Sequence, residues 1–418
     1  MKNRIVSREY FELGVRLDSP LSVSNGENSM TDSDVMINRD CQVFVPGTSL
    51  AGAFRNYLEQ KKNQKGIMGF SDGEDGRMSS VFISDLYFDS VPVVSVRDGV
   101  KLTDEKLAAD ASKYDMEIVE TGASGRFRIE VVRREKDDFD DISETIRQLV
   151  KGMNSGDIRF GKKKNRGFGR LTVVAIKSAA FSSVDCEKWI AFCQNPEYPV
   201  DYSEWLNESE GNDKFIKIRI PLKLQGGISI RTYATQKGAP DYSHIECNNM
   251  PVVPGSSWNG AIRSDAIKIL KELGCTNPEK KVDVWFGADA KKNKDMKQSA
   301  IVFSESVIED SVAMTTTRNR INRFSGGTVD GALYTDRAFY GGKTVLEILI
   351  NNRCEYREAL LGLVCLIIKD IQNGYVSIGG LSSIGRGLFA VGDQPEEYFG
   401  IAKNETVWLE QLYALICA

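Results

Sequence analysis

Pro46-Gly47-Thr48-Ser49-Leu50-Ala51-Gly52-Ala53-Phe54-Arg55 returns 208 residues later as Pro254-Gly255-Ser256-Ser257-Trp258-Asn259-Gly260-Ala261-Ile262-Arg263. Six of the ten positions are identical and a seventh exchanges Thr for Ser. Three further landmarks recur around this stretch in the same order. Before it, Phe11, Leu13, Val15 and Leu17 alternate on one strand face, as do Ile216, Ile218, Ile220 and Leu222. After it, Gly69-Phe70 ahead of Ser80-Val81-Phe82-Ile83-Ser84-Asp85 matches Phe286-Gly287 ahead of Ala300-Ile301-Val302-Phe303-Ser304-Glu305. Last, Gly161, Gly167 and Gly169 have the spacing of Gly379, Gly385 and Gly387. Four ordered matches make the chain an internal duplication.

Each copy reads strand, helix, strand, strand, helix, strand, which is the ferredoxin-like (RRM-like) α+β unit. In the first copy the helices follow Thr48 and Asp138, the third strand is Arg126–Val131, and the last follows Arg170. In the second, Trp258, Ile262, Ala266, Ile269 and Leu273 form one helical stripe that stops at Gly274. The expected division is a first domain over residues 1–180, a connector over 181–213, a second domain over 214–395 and a helical tail over 396–418. A chain of 418 residues exceeds what one core usually fills, in keeping with two domains.

The Pro-Gly-Thr/Ser-Ser start is first of all a helix cap, a hydroxyl accepting from the free N–H groups of the first turn. Capping needs one hydroxyl, yet both copies present two: Thr48 and Ser49, Ser256 and Ser257. Gly52 and Gly260 leave the helix bare one turn on, where another backbone could approach. A helix N-terminus with open N–H groups binds phosphate, and Arg55 and Arg263 stand two turns in, where they could reach a second one. The loop Gly161-Lys162-Lys163-Lys164-Asn165-Arg166-Gly167-Phe168-Gly169-Arg170 holds five positive charges and no acid. It is either a solvated hairpin or a backbone clamp with Phe168 as a stacking platform. Gly379-Gly380-Leu381-Ser382-Ser383-Ile384-Gly385-Arg386-Gly387 keeps the glycines with one charge, Arg386, and should hold phosphate more weakly. Upstream of each helix start lies a loop acid: Asp34, with Asp32 as its rival, and Asp241. Such aspartates are ordinarily turn formers.

Bulk properties narrow the chemistry. The net charge of −4 and a pI near 5.5 argue against coating nucleic acid through a general positive field, so contacts must come from local clusters. His244 is the only histidine, which excludes paired-histidine cleavage; phosphodiester chemistry would need a carboxylate and a divalent cation. Eight scattered cysteines show no two-residue gap, and reduced thiols are expected rather than zinc or disulfides. No stretch reaches a membrane span's length of apolar residues, and the opening residues lack a signal-like apolar run, so the expectation is a cytoplasmic protein.

Together these landmarks resemble the RAMP superfamily of CRISPR-associated proteins. The closest likeness is to the repeating backbone subunits of type III effector complexes, fused in tandem as in the III-D branch. The resemblance implies a core that grips guide (CRISPR) RNA along its backbone and a thumb hairpin that kinks the guide. It also implies a loop aspartate that cuts complementary target RNA with a divalent cation, magnesium being the expected one. The run Asp34-Val35-Met36-Ile37-Asn38-Arg39-Asp40 matches the family's pattern well, and Asp241-Tyr242-Ser243-His244-Ile245-Glu246-Cys247 more loosely. Implied partners are the two RNAs and other subunits, including a large polymerase-like one. Two alternatives remain: a non-cleaving scaffold or cap of the same complex, and a guide-precursor processing endoribonuclease, against which the scarcity of histidine counts.

Overall fold

The structure, a computed structural model, describes residues 4–24, 31–60, 67–72, 75–100, 112–137, 142–207, 214–233, 239–288, 299–392 and 404–417. Two compact units emerge. One comprises Met1–Gly99, Lys113–Lys164 and Phe168–Asn212; the other comprises Val100–Ser112, Asn165–Gly167 and Asp213–Ala418.

The first unit runs β1 (Ile5–Leu17), α1 (Gly47–Gln60), β2 (Val81–Ile83), β3 (Val94–Gly99), β4 (Tyr114–Val119), β5 (Ser124–Arg134), α2 (Ile142–Ser155), β6 (Leu171–Ser182) and α3 (Cys186–Gln194), with shorter strands between. β1 lies between β6 and β5, and β2 pairs with β5, all antiparallel. The core strands therefore stand in the order last, first, third, second, the ferredoxin-like sheet expected from the pattern. Phe11, Leu13, Val15 and Leu17 point into one core with Leu50, Phe54 and Leu58 of α1 and Ile146, Leu149 and Val150 of α2. Each such side chain contributes roughly 1.5–3 kcal/mol by leaving water.

The second unit runs β7 (Phe215–Gln225), β8 (Arg231–Tyr233), β9 (Tyr242–His244), α4 (Gly255–Glu272), α5 (Pro278–Phe286), β10 (Ile301–Phe303), β11 (Val312–Arg318), β12 (Tyr334–Tyr340), β13 (Lys343–Asn351), α6 (Arg357–Gln372), β14 (Leu388–Val391) and α7 (Glu405–Cys417). Its sheet has the same order, β14-β7-β13-β10. Ile218, Ile220, Leu222, Trp258, Ile262, Leu360, Leu363 and Ile367 share its core. α4 ends just before Gly274, whose φ of +85° is the left-handed stop expected there.

One feature differs from expectation. The stretch read as a connector belongs, where described, to the first unit: Val200 and Asp201 pair with β6, and Phe192 of α3 packs on Tyr10 and Ala179. Each unit also inserts a hairpin between its second and third core strands, β3–β4 in one and β11–β12 in the other. Asp138, Glu208–Asp213 and residues 396–403 lie outside the described residues. No helix among the described residues is long and apolar enough to cross a membrane.

Candidate nucleic-acid interface

The paired helix starts are built by close backbone approach. A Cβ on Gly47 would stand 2.3 Å from the Ile83 carbonyl oxygen, and one on Gly255 would stand 2.2 Å from that of Phe303. Only glycine fits there, and this links the helix start to the strand that follows it in both copies. The Pro46 carbonyl accepts the Ser49 N–H at 2.9 Å, as Pro254 does from Ser257. The N-cap of α4 is Pro254, with no side-chain cap bond, and the Asp85 carboxylate takes the Gly47 N–H of α1 at 2.7 Å. Capping by the hydroxyls is therefore not what the structure shows. Thr48 and Ser256 are exposed, and none of the four hydroxyls makes a hydrogen bond among the described residues. Beside them, positions 52 and 260 are open, with nothing within 4 Å of an added Cβ. A bare face carrying two unengaged hydroxyls thus recurs in both units.

The two glycine loops close at their bases alike. The Phe160 N–H donates to the Gly169 carbonyl and the Ile378 N–H to that of Gly387, each at 2.9 Å. A Cβ on Gly169 or Gly387 would come within 1.9 Å of the Phe160 or Ile378 carbonyl oxygen. In the first loop Lys162 Nζ donates to Ser24 Oγ at 2.6 Å and to Ser33 Oγ at 3.1 Å. Lys163 Nζ sits 4.3 Å from the Tyr114 ring centroid. Lys162, Lys163 and Lys164 are exposed and Arg166 is half-buried.

Ser33 brings the loop acids to the same place. Asp32 and Asp115 of β4 exchange bonds, each backbone N–H donating to the other's carboxylate at 3.0 Å. Asp241 accepts the Thr335 N–H of β12 at 2.7 Å. The Met36 N–H donates to the Val23 carbonyl, and the Ile245 N–H to that of Ile230. These bonds align Asp32, not Asp34, with Asp241, and Asp115 with Thr335. Asp32 and Asp241 are exposed, whereas Asp34 is buried with its carboxylate held by the Thr31 N–H and hydroxyl. Asp34 thus has the surroundings of a turn former.

The profile of the RAMP superfamily matches residues 15–172 and 243–390. The chain belongs to the RAMP superfamily. The first matched region lies in the first unit apart from residues 100–112 and 165–167, and the second lies wholly in the second unit, so this RAMP protein is a tandem of two such domains. Membership places it among CRISPR-associated proteins that bind CRISPR RNA within multi-subunit complexes. No curated protein matches the chain.

Several residues expected on the RNA face of this RAMP protein are engaged internally. Phe168 is buried against Met116 and Ile118, so it is a packing residue rather than an open stacking platform. Arg386 is 3% exposed and paired with Asp336 and the Tyr340 hydroxyl. Arg55 donates to the Met68 carbonyl at 2.7 Å; Arg263 donates to that of Gly287 and pairs with Asp283. Both arginines brace α1 and α4 against the turns carrying the Gly-Phe and Phe-Gly landmarks. Arg170 Nη2 donates to the Asn154 carbonyl near the end of α2 at 3.3 Å. His244 is buried: Nδ1 accepts the Ile230 N–H and Nε2 faces the Val252 carbonyl, each at 3.0 Å, so the proton is assigned to Nε2. Burial pushes its pKa down to about 4, and it serves as a neutral staple.

Sequence reasoning missed Asp85, Asp115, Tyr114 and Arg231. The repeated Asp/Glu two residues past Ile83 and Phe303 was the available signal for Asp85. Among the described residues no cluster of three or more His, Cys, Asp or Glu could cage a metal. Magnesium, however, is ordinarily held by one or two carboxylates with substrate phosphates supplying the rest. The Asp32–Asp115 pair fits that minimal requirement. Asp241 stands beside Thr335 and has one carboxylate fewer.

Proposed function

We propose that the chain is a guide-RNA-binding backbone subunit of a type III effector complex, cutting complementary target RNA beside Asp32 and Asp241. The observation that carries this reading is the repeated placement of one exposed aspartate. In each unit a loop carboxylate accepts a backbone N–H at the same hairpin position, next to the glycine loop. Placement by the backbone is suited to a carboxylate that must act in the transition state. Asp32 and Asp115, together with phosphate oxygens, would hold a divalent cation, magnesium, that supplies Lewis acidity at the scissile phosphate. Lys162 and Lys163 hold the approaching strand, and the bare Thr48/Ser49 and Ser256/Ser257 faces admit its backbone.

The hairpin inserts fit the role of thumbs. In the second unit the Asn322 side chain accepts the Phe324 N–H at 2.8 Å, folding the tip so that Phe324 stands fully exposed. An aromatic ring held in water at the tip of a folded turn suits insertion between bases. The other subunits, including a large polymerase-like one, are the partners this reading requires.

The test is target cleavage by the guide-loaded complex. Wild type should cut at two positions one subunit repeat apart, Asp32→Ala should remove one cut and Asp241→Ala the other, and chelator should stop both. Activity that survives chelation would sink the metal-assisted mechanism. One observation favours a second reading for half of the molecule, in which the second unit acts as scaffold alone: Thr335 stands where Asp115 does. A single wild-type cut, unchanged by Asp241→Ala, would establish that division.

A further inference from the structure

The second glycine loop keeps one cation, and that cation is buried, so the loop offers no charge to a ligand. The missing charge reappears on the neighbouring strand. The Ser22 carbonyl accepts the Lys162 N–H and the Ser229 carbonyl accepts the Gly380 N–H, each at 2.8 Å. Gly380 is therefore the counterpart of Lys162, and Arg231 the counterpart of Ser24. In the first unit the Lys162 ammonium bonds Ser24 and Ser33. In the second, Tyr242 takes the place of Ser33, and the Arg231 guanidinium lies 4.5 Å from its ring centroid. A Cβ on Gly380 would come within 3.8 Å of Arg231 Nε. The two sides of one contact have exchanged roles: the lysine became glycine, and the serine facing it became arginine. Arg231 is exposed and has no acidic partner among the described residues.

We propose that Arg231 is a phosphodiester-binding residue, holding an RNA phosphate beside Asp241 as Lys162 does beside Asp32. A guanidinium lying on a tyrosine keeps its N–H edge free for bidentate donation to phosphate oxygens, which an ammonium cannot match. The assignment rests on the reading that this face of the second unit meets RNA, but it requires no cleavage.

The test uses the full chain and a short single strand with 2′-deoxy substitutions that prevent cutting, titrated by fluorescence anisotropy at several KCl concentrations. Arg231→Ala should weaken binding about 5–10-fold at low salt and lower the salt slope by about 0.7, the value for one phosphate contact on a single strand. Arg231→Lys should restore the slope with part of the affinity. Loss seen on the free chain assigns the phosphate to the guide, and loss seen only after guide loading assigns it to the target. Unchanged affinity and slope, with a lowered Tm as the only effect, would make Arg231 a structural stack and overturn the proposal. A wild-type chain that cuts no RNA, paired with a reduced slope in the variant, would sink the nuclease reading and leave Arg231 standing.

Discussion

Phe168 and Arg386 occupy the same position in the two glycine loops, and each meets the same position of its hairpin. In the first unit that contact is apolar, Phe168 on Met116; in the second it is ionic, Arg386 on Asp336. The backbone around it is the same: Gly161, Lys163, Gly167 and Gly169 share positive φ with Gly379, Leu381, Gly385 and Gly387. The loop is thus pinned to the hairpin in both copies, and either chemistry suffices. Residue type at this position therefore reports packing. Charges that remain available to a ligand lie elsewhere, among them Lys162 and Lys163 in one unit and Arg231 in the other.

The contrast can be broken most forcefully from the ionic side. Arg386→Ala leaves Asp336 buried without its counter-charge and should cost the second unit on the order of 3–5 kcal/mol. Urea unfolding would show the loss, and an unchanged midpoint would refute the pinning role. Phe168→Ala should cost the first unit about 3 kcal/mol by leaving a cavity. A large loss of RNA affinity with intact stability would return Phe168 to the stacking role. The double variant Arg386→Phe, Asp336→Met imports the apolar solution and should recover most of the Arg386→Ala loss, because removing both ions removes their desolvation cost as well.

Smaller effects follow from two buried titrating groups in the second unit. Burial and the nearby Asp370 raise the Asp265 pKa to about 7, while burial lowers that of His244 to about 4. Between pH about 4 and 6.5 the unfolded chain binds a proton at His244 that the native state refuses, so stability rises with pH. Between about 3.8 and 7 the native state holds a proton on Asp265 that the unfolded chain has lost, so stability falls with pH. The two slopes oppose over the shared window. Asp265→Asn should expose the His244 slope, up to about 1.4 kcal/mol per pH unit. The same variant should gain on the order of 2 kcal/mol above pH 7, where the buried carboxylate would otherwise be charged. A stability profile left unchanged from pH 4 to 8 would contradict this.

Much of the architecture was legible in the sequence because it repeats. Alternating strands, the Pro-Gly helix start and the spaced glycines are local patterns, and two copies in one order fix the duplication and the ferredoxin-like order without a coordinate. The structure supplies the reason that Gly47 and Gly255 repeat: no side chain fits against the carbonyl opposite. The site was legible only in outline. The likeness to the family's run favoured Asp34, and counting back from Pro46 as far as Asp241 stands from Pro254 reaches Ser33, between the two acids; the first copy has one more residue between its paired strands than the second. Ile37 bridges Val43, whereas Glu246 pairs with Pro251. That single residue moves the equivalent of Asp241 to Asp32. Whether Phe168, Arg386, Arg55 and Arg263 face solvent or their own unit depends on partners far away in the chain, such as Met116 and Asp336. Local sequence records which groups are available for contact. Only the folded register decides which are already engaged and which, like Asp32, Asp241 and Arg231, are left facing outward.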